Sequence, residues 1–294
     1  MGVPLNQVII PSSYQELFGA WNRFPTAVLY AGGTYLLRKP QSIPLAPYTA
    51  DFPAQEDESQ RRDLPPVYLC LDNLPDLQRI TRTEHFLDIG SMVKLNILLN
   101  LGKIVPKAFK TCLEKIGGFQ LRNIATIGGN ICNQSRLLDL PAPLTALDAQ
   151  YELRNSSNVT RWVFASRFHS KENENPDKKE LLIRVRLPIH QWDYAIYKKF
   201  YDEDHNKTEA VVFLAKTRKN ILSEIRVIYK SSSIIRNKKG EDILNGKSLP
   251  LNHKTADEFV ENWREFLKNR QEESDFSQNT VLNSIRANVY NLSE

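Results

Sequence analysis

Two of the three pairs of adjacent glycines in this chain constrain it more than any other feature. The first stands in Ala31-Gly32-Gly33-Thr34, directly after the apolar run Ala27-Val28-Leu29-Tyr30. The second stands in Thr126-Ile127-Gly128-Gly129-Asn130-Ile131. Adjacent glycines admit positive φ and let the backbone approach a ligand or another backbone closely. Exposed N–H groups in such a turn can form a nest for a phosphate. Thr126 and Asn130 add side-chain hydrogen bonds. Neither run is followed by Gly-Lys-Ser/Thr, so neither is a Walker A loop, and neither has the G-x-G-x-x-G spacing. Taken alone, each also reads as a plain tight turn. Two of them, each ending an apolar run, weaken that reading.

Around these loops the pattern alternates strands and helices. Ser12 with Gln15 makes a capping-box pattern, and Tyr14, Leu17 and Trp21 follow at helical spacing. Strands are expected at 27–30, 67–71, 86–89, 181–187, 210–215 and 224–229, the last two joined as a hairpin through the polar stretch 216–221. Helices are expected at 91–100 and at 106–116, where Pro106 suits a first turn. A third is capped by Thr255 with Glu258 and carries Phe259, Trp263, Phe266 and Leu267 on one face. That face is core or a partner-subunit surface. A short helix follows at 280–290. The glycine- and asparagine-rich stretch 117–134 reads as a closely packed loop. Trp162, Phe164 and Phe168 read as core, and 52–66, 169–180 and 271–280 as polar breaks.

Composition excludes several classes. The 294 residues are 41% apolar and 25% charged, enough for a large core and about two domains. The formal charge of +5 is mild and dispersed, which argues against nucleic acid as a partner. No run of 18 apolar residues occurs, and the N-terminus lacks a signal-peptide pattern, so a cytoplasmic protein without a membrane partner is expected. Cys70, Cys112 and Cys132 are too far apart in sequence for a cluster-binding motif of their own. They read as buried free thiols, with Cys132 set apart by its place beside the second glycine loop. His85, His169, His190, His205 and His253 show no ligand spacing, so no metal site is expected.

The segments AGGTYLL (31–37), VYLCLDNLPDLQRITRTEHFLDIGSMV (67–93), RNIATIGGNICN (122–133), DLPAPLTALDA (139–149) and LLIRVRLP (181–188) carry a family resemblance. In order and spacing they resemble the flavin-binding subunit, or middle domain, of the xanthine dehydrogenase and carbon monoxide dehydrogenase group of molybdenum hydroxylases. YKKFYDEDHNKTEAVVFLAK (197–216) matches more loosely. The resemblance covers roughly residues 5–230.

The resemblance implies an α/β (α+β) chain: a two-part FAD-binding domain of the PCMH/vanillyl-alcohol-oxidase type, at 1–58 and 59–190, then a small C-terminal α+β domain at 191–294. It implies FAD as cofactor. By carry-over, Ala31, Gly32, Gly33 and Thr34 hold the pyrophosphate, and Tyr35 stacks on adenine or closes the pocket. Thr126, Gly128, Gly129, Asn130 and Asn133 contact the dinucleotide. Asp139 sits at the offset of an aspartate on the adenosine side, and Leu187 matches a leucine against the ring system. Lys198 or Lys199 matches a following lysine. The family usually has Asp where this chain has Tyr35, a small-residue and proline segment where it has 134–138, and often an arginine near its acidic run 202–204. The implied role is electron transfer, with no catalytic acid, base or nucleophile. Electrons come from an iron–sulfur subunit, beside a molybdenum-cofactor subunit, and pass to NAD⁺ or another acceptor. A stand-alone FAD-dependent oxidoreductase and a flavin-free assembly or scaffold protein are the alternatives.

Overall fold

In the computed structural model, residues 6–36, 45–46, 67–133, 138–170, 179–201, 208–270 and 275–292 are described. The expected loop at 52–66, the segment 134–137, most of 169–180, the acidic run 202–204 with His205, and 271–274 lie outside them.

Strand β1 (Asn6–Ile9) is followed by helix α1 (Tyr14–Arg23). The cap is Ser13, one residue later than expected: its side chain accepts from the Glu16 N–H, and the Glu16 carboxylate accepts from the Ser12 N–H at 2.8 Å. Leu17 and Phe18 turn inward. Strands β2 (Val28–Tyr30), β3 (Leu45–Ala46) and β4 (Val67–Cys70) join β1 in a parallel sheet of order β2-β4-β1-β3. This sheet therefore draws on residues both before and after position 58.

The second sheet is antiparallel, order β5-β6-β9-β7-β8. Its strands are β5 (Ile80–Arg82), β6 (Phe86–Gly90), β7 (Gln150–Asn155), β8 (Thr160–Phe164) and β9 (Glu180–Pro188). Between β6 and β7 run α2 (Leu95–Asn100), α3 (Lys107–Glu114), α4 (Phe119–Ile124), α5 (Ile127–Ile131) and α6 (Pro141–Ala146). Helix α7 (Ala165–Phe168) follows β8. The stretch expected as one loop at 117–134 thus holds α4 and α5, with a break at extended Ala125. Each is under two turns long and survives by tertiary support: Arg122 reaches back to the carbonyls of Ile116 and Gly117, and Thr126 caps α5.

The third sheet is an antiparallel meander of β10 (Tyr194–Tyr201), β11 (Thr208–Arg218), β12 (Ile221–Lys230) and β13 (Ile234–Arg236). The β11–β12 hairpin turns at Lys219 and Asn220, both at positive φ. Helices α8 (Lys238–Leu244), α9 (His253–Lys268) and α10 (Asp275–Tyr290) complete the chain. Asn252, not Thr255, caps α9, and α10 is longer than the expected 280–290 helix.

Both faces of the third sheet are covered. Ala195, Tyr197, Val212, Leu214 and Ile228 pack into the core of the second sheet and its helices. Val211, Phe213, Val227 and Tyr229 pack instead against Phe259, Trp263 and Leu267 of α9 and Val281 and Ile285 of α10. This is why 210–215 is an unbroken apolar run rather than an alternating one. The α9 face is core of this chain. Arg226 clasps the two halves: it donates to the Ala146 carbonyl at 2.7 Å and pairs with Asp148.

Trp162 and Phe164 are not core. They are 40% and 50% exposed on edge strand β8, while Val163 between them turns inward. Phe168 packs at the core margin, edge-on to Tyr151. Cys70 and Cys112 are buried and Cys132 is exposed.

His169 lies against the hydroxyl of fully buried Tyr151 at 3.2 Å. Burial lowers its pKa from the ordinary 6.5 to about 4. The unfolded chain therefore binds a proton there before the folded one does, and stability falls as pH drops from about 6.5 toward about 4. The variant His169→Gln is expected to show a shallower loss than the wild type over that window in urea-unfolding midpoints.

Candidate functional site

The strands of the first sheet are parallel, so the connections leaving β1, β2 and β4 open at one edge. Such carboxyl edges are where α/β sheets place ligands. The first glycine loop leaves β2 at that edge. A side chain on Gly32 would put its Cβ 2.1 Å from the Ile124 carbonyl oxygen. Gly33 has φ +67°, and its Cβ would lie 2.5 Å from the Tyr30 hydroxyl. Gly33 is thus required twice, by backbone conformation and by the ring lying across it. Among the described residues, the N–H groups of Gly32 and Gly33 have no protein acceptor, although both residues are buried. Buried amides without partners are costly unless something completes them.

The second glycine pair works differently. The Gly128 N–H donates to the Ser91 carbonyl at 2.8 Å, the Gly129 N–H to Thr126 Oγ1 at 3.0 Å, and the Asn130 N–H to the Thr126 carbonyl. These amides are therefore not open donors of a phosphate nest, contrary to the expectation from the sequence. They shape the loop. Gly128 lets it lie on Ser91, where a Cβ would come within 2.7 Å of the carbonyl oxygen. Asn130 Oδ1 accepts from the Leu140 N–H at 3.0 Å and so ties α5 to the start of α6. The two glycine loops meet: Gly32 abuts Ile124, and Gly129 faces Ala31.

Asp139 and Lys199 form an ion pair at 3.0 Å, each side chain 11% exposed. Thr208 donates to Asp139, and the nearly inaccessible Lys230 donates to the Thr208 carbonyl and hydroxyl oxygens. Lys199 also reaches the Lys115 carbonyl. The strand period of two turns Lys199 toward this cluster and leaves Lys198 exposed on the other face of β10. Asp139 and Lys199 thus occupy one place. The neighbouring Cys112 thiol is pushed up first by burial and then by Asp139, so it stays neutral. Leu187 is fully buried on β9 opposite Leu87. Tyr35 is partly exposed behind the first loop, and Asn133 closes the second.

Sequence reasoning missed Tyr30, Ser91, Ile124, Thr208 and Lys230. Tyr30 directly precedes a matched motif, and Ser91, Ile124 and Thr208 lie inside matched segments, which was their only signal. Ser91 carries a buried hydroxyl beside Gly128 that has no hydrogen-bond partner among the described residues. Among the described residues no group of three or more His, Cys, Asp or Glu is placed to hold a metal ion. No described helix is long and apolar enough to cross a membrane.

Comparison with known proteins finds one recurring family. Residues 55–190 match the family described as the FAD binding domain in molybdopterin dehydrogenase. An indole-3-acetaldehyde oxidase of Zea mays is 31% identical over 205 residues, which is 64% of this chain and 15% of the maize protein. The chain thus spans a small part of such relatives. A xanthine dehydrogenase FAD-binding subunit of Escherichia coli O157:H7 is 31% identical over 122 residues, 40% of this chain and 41% of that one. Among solved structures, a carbon monoxide dehydrogenase from Hydrogenophaga pseudoflava superposes with TM-score 0.76 at 19% identity, covering 100% of this chain and 98% of that one. Quinoline 2-oxidoreductase from Pseudomonas putida 86 gives 0.73 at 19% identity, over 100% and 97%. These two likenesses concern the fold.

Residues 55–190, a little under half of the chain, are thus similar to the FAD-binding domain of the molybdopterin-dehydrogenase family. The matched span includes the second glycine loop, Asp139 and Leu187; the first glycine loop and Lys199 lie outside it.

Removing one member of a nearly buried ion pair strands the other charge, at about 3–5 kcal/mol. Lys199→Met and Asp139→Leu are each expected to destabilise by about that much in denaturant titrations, and the double variant by clearly less than their sum.

Proposed function

We propose that this chain is the FAD-carrying electron-transfer subunit of a hetero-oligomeric molybdenum hydroxylase of xanthine dehydrogenase type. The observation that carries the reading is the pair of amides at buried Gly32 and Gly33 without acceptors among the described residues. They lie on a loop where Gly32 leaves no side chain against Ile124 of α4 and Gly33 leaves none against the Tyr30 ring. A diphosphate supplies the oxygens those amides need. Ala31 and Thr34 continue the loop on either side, and Tyr35 closes it.

The remaining residues divide the work by chemistry. Thr126, Gly128, Gly129 and Asn130 hold the second loop rigid against the first, with Asn133 at its exit. Leu187 contributes an apolar wall. Asp139 and Lys199 present an acceptor and a donor from one place, suited to the polar edge of a ring rather than to opposite ends of a dinucleotide. Lys198 faces away and is not part of the site. FAD supplies the exchange between single electrons and electron pairs. The chain supplies position, a dry setting and fixed charges, and needs no acid, base or nucleophile of its own.

In this reading residues 1–58 and 59–190 form the two parts of the flavin-binding domain, β4 completing the sheet of the first part, and 191–294 form the C-terminal domain. Iron–sulfur clusters on one partner chain deliver electrons that originate at a molybdenum-cofactor subunit. NAD⁺ or another acceptor removes them, in the cytoplasm.

The full chain, purified gently, is expected to show the visible absorption of oxidised flavin, with released cofactor identified as FAD at about one per chain. Gly33→Ala is expected to lose most of that content while keeping the far-ultraviolet circular dichroism of the wild type. A colourless chain that takes up no added FAD, with partner subunits present, would overturn the proposal in favour of a scaffold. Rapid turnover with NADH and a small-molecule acceptor without partners would favour a stand-alone oxidoreductase.

A further inference from the structure

The second sheet has a polar face opposite the one that carries Leu187. Along β9, Val185 and Leu187 turn into the core while Arg184 and Arg186 turn the other way. On that other side, between α1 and the sheet, lies a cavity of about 310 Å³. Its lining includes Tyr14, Asp76, Arg79, Asp88, Glu152, Arg154 and Arg184.

The charges there are almost matched. Asp76 pairs with Arg79 at 3.3 Å, Asp88 is held bidentately by Arg186 at 2.8 Å through both oxygens, and Glu152 is in contact with Arg184. Arg154 is left over. It has no carboxylate partner among the described residues, and its guanidinium lies over the Tyr14 ring at 4.5 Å. Its Nε and the Tyr14 hydroxyl are both buried without hydrogen-bond partners among the described residues. Two orphaned donors from different elements therefore line one cavity, one of them a cation without a paired carboxylate among the described residues. Stacking on the ring fixes the plane of the guanidinium and leaves its edge to recognise an oxyanion.

We infer that this cavity binds a small oxyanion, a phosphate or a carboxylate, accepting hydrogen bonds from Arg154 and from the Tyr14 hydroxyl. Burial and the nearby Asp76 raise the Tyr14 pKa, which keeps its hydroxyl a donor at neutral pH. The cavity lining includes no residue of either glycine loop.

The test is isothermal titration of the full chain with inorganic phosphate and, separately, with succinate, in chloride-balanced buffer. Excess FAD is present to fill the first glycine loop. The wild type is expected to bind at least one of the two anions at about one per chain, and which of them binds names the chemistry. A hydrogen bond to a charged group carries enough energy that Arg154→Gln should weaken binding by about tenfold or more. Tyr14→Phe should weaken it several-fold, and Arg82→Gln, on exposed β5, should leave it unchanged. Should Arg154→Gln fail to fold, Tyr14→Phe decides. Absence of binding by both anions, or binding indifferent to Arg154→Gln and Tyr14→Phe, overturns the inference.

Discussion

The contact between Gly32 and the Ile124 carbonyl holds the site together. Two loops more than ninety residues apart in sequence meet backbone to backbone there, and even a methyl group would part them. What surrounds that contact serves it. Tyr30 covers Gly33 from the strand side, Ser91 receives Gly128 from below, and Asn130 fastens the end of α5 to α6. Steric exclusion acts at short range and gives no ground, so it fixes loop geometry more sharply than hydrogen bonds alone.

The two glycine pairs look alike in sequence and play opposite parts. One leaves its amides unspent; the other uses all of them on its own protein. In the proposed reading, ligand contact and ligand framing are divided between the two loops. The Asp139–Lys199 pair extends this division into the third sheet, because Thr208 and Lys230 brace it from β11 and β12.

Much of this was legible beforehand, for identifiable reasons. The aliphatic-rich stretch 181–187 and the unbroken apolar run 210–215 announced their strands, and the glycine pairs announced where backbone would approach backbone. The short helices α4 and α5 were not legible, since their stability comes from Arg122 and from packing rather than from propensity. The cap of α1 slipped by one residue because Ser12 and Ser13 are chemically equivalent on paper. Trp162 and Phe164 were misread because alternation shows which residues share a face, not which face is covered. The same alternation, once β10 was paired, separated Lys199 from Lys198. Hydrogen-bond use by Gly128 and Gly129 depends on Ser91 and Thr126 in three dimensions, which no spacing rule conveys.

The third sheet is a wall common to two interiors, and this bears on how the chain can be divided. A fragment ending at Pro188 would keep both glycine loops and would lack the strand bearing Lys199. It would also present to water the surface now sealed by Ala195, Tyr197, Val212 and Leu214. A fragment beginning at Tyr194 would expose the reverse side of the same strands. Neither half is closed without the other, so an insertion, a permutation or a gene split is tolerated at the hairpin tips and not at the seam between the second and third sheets.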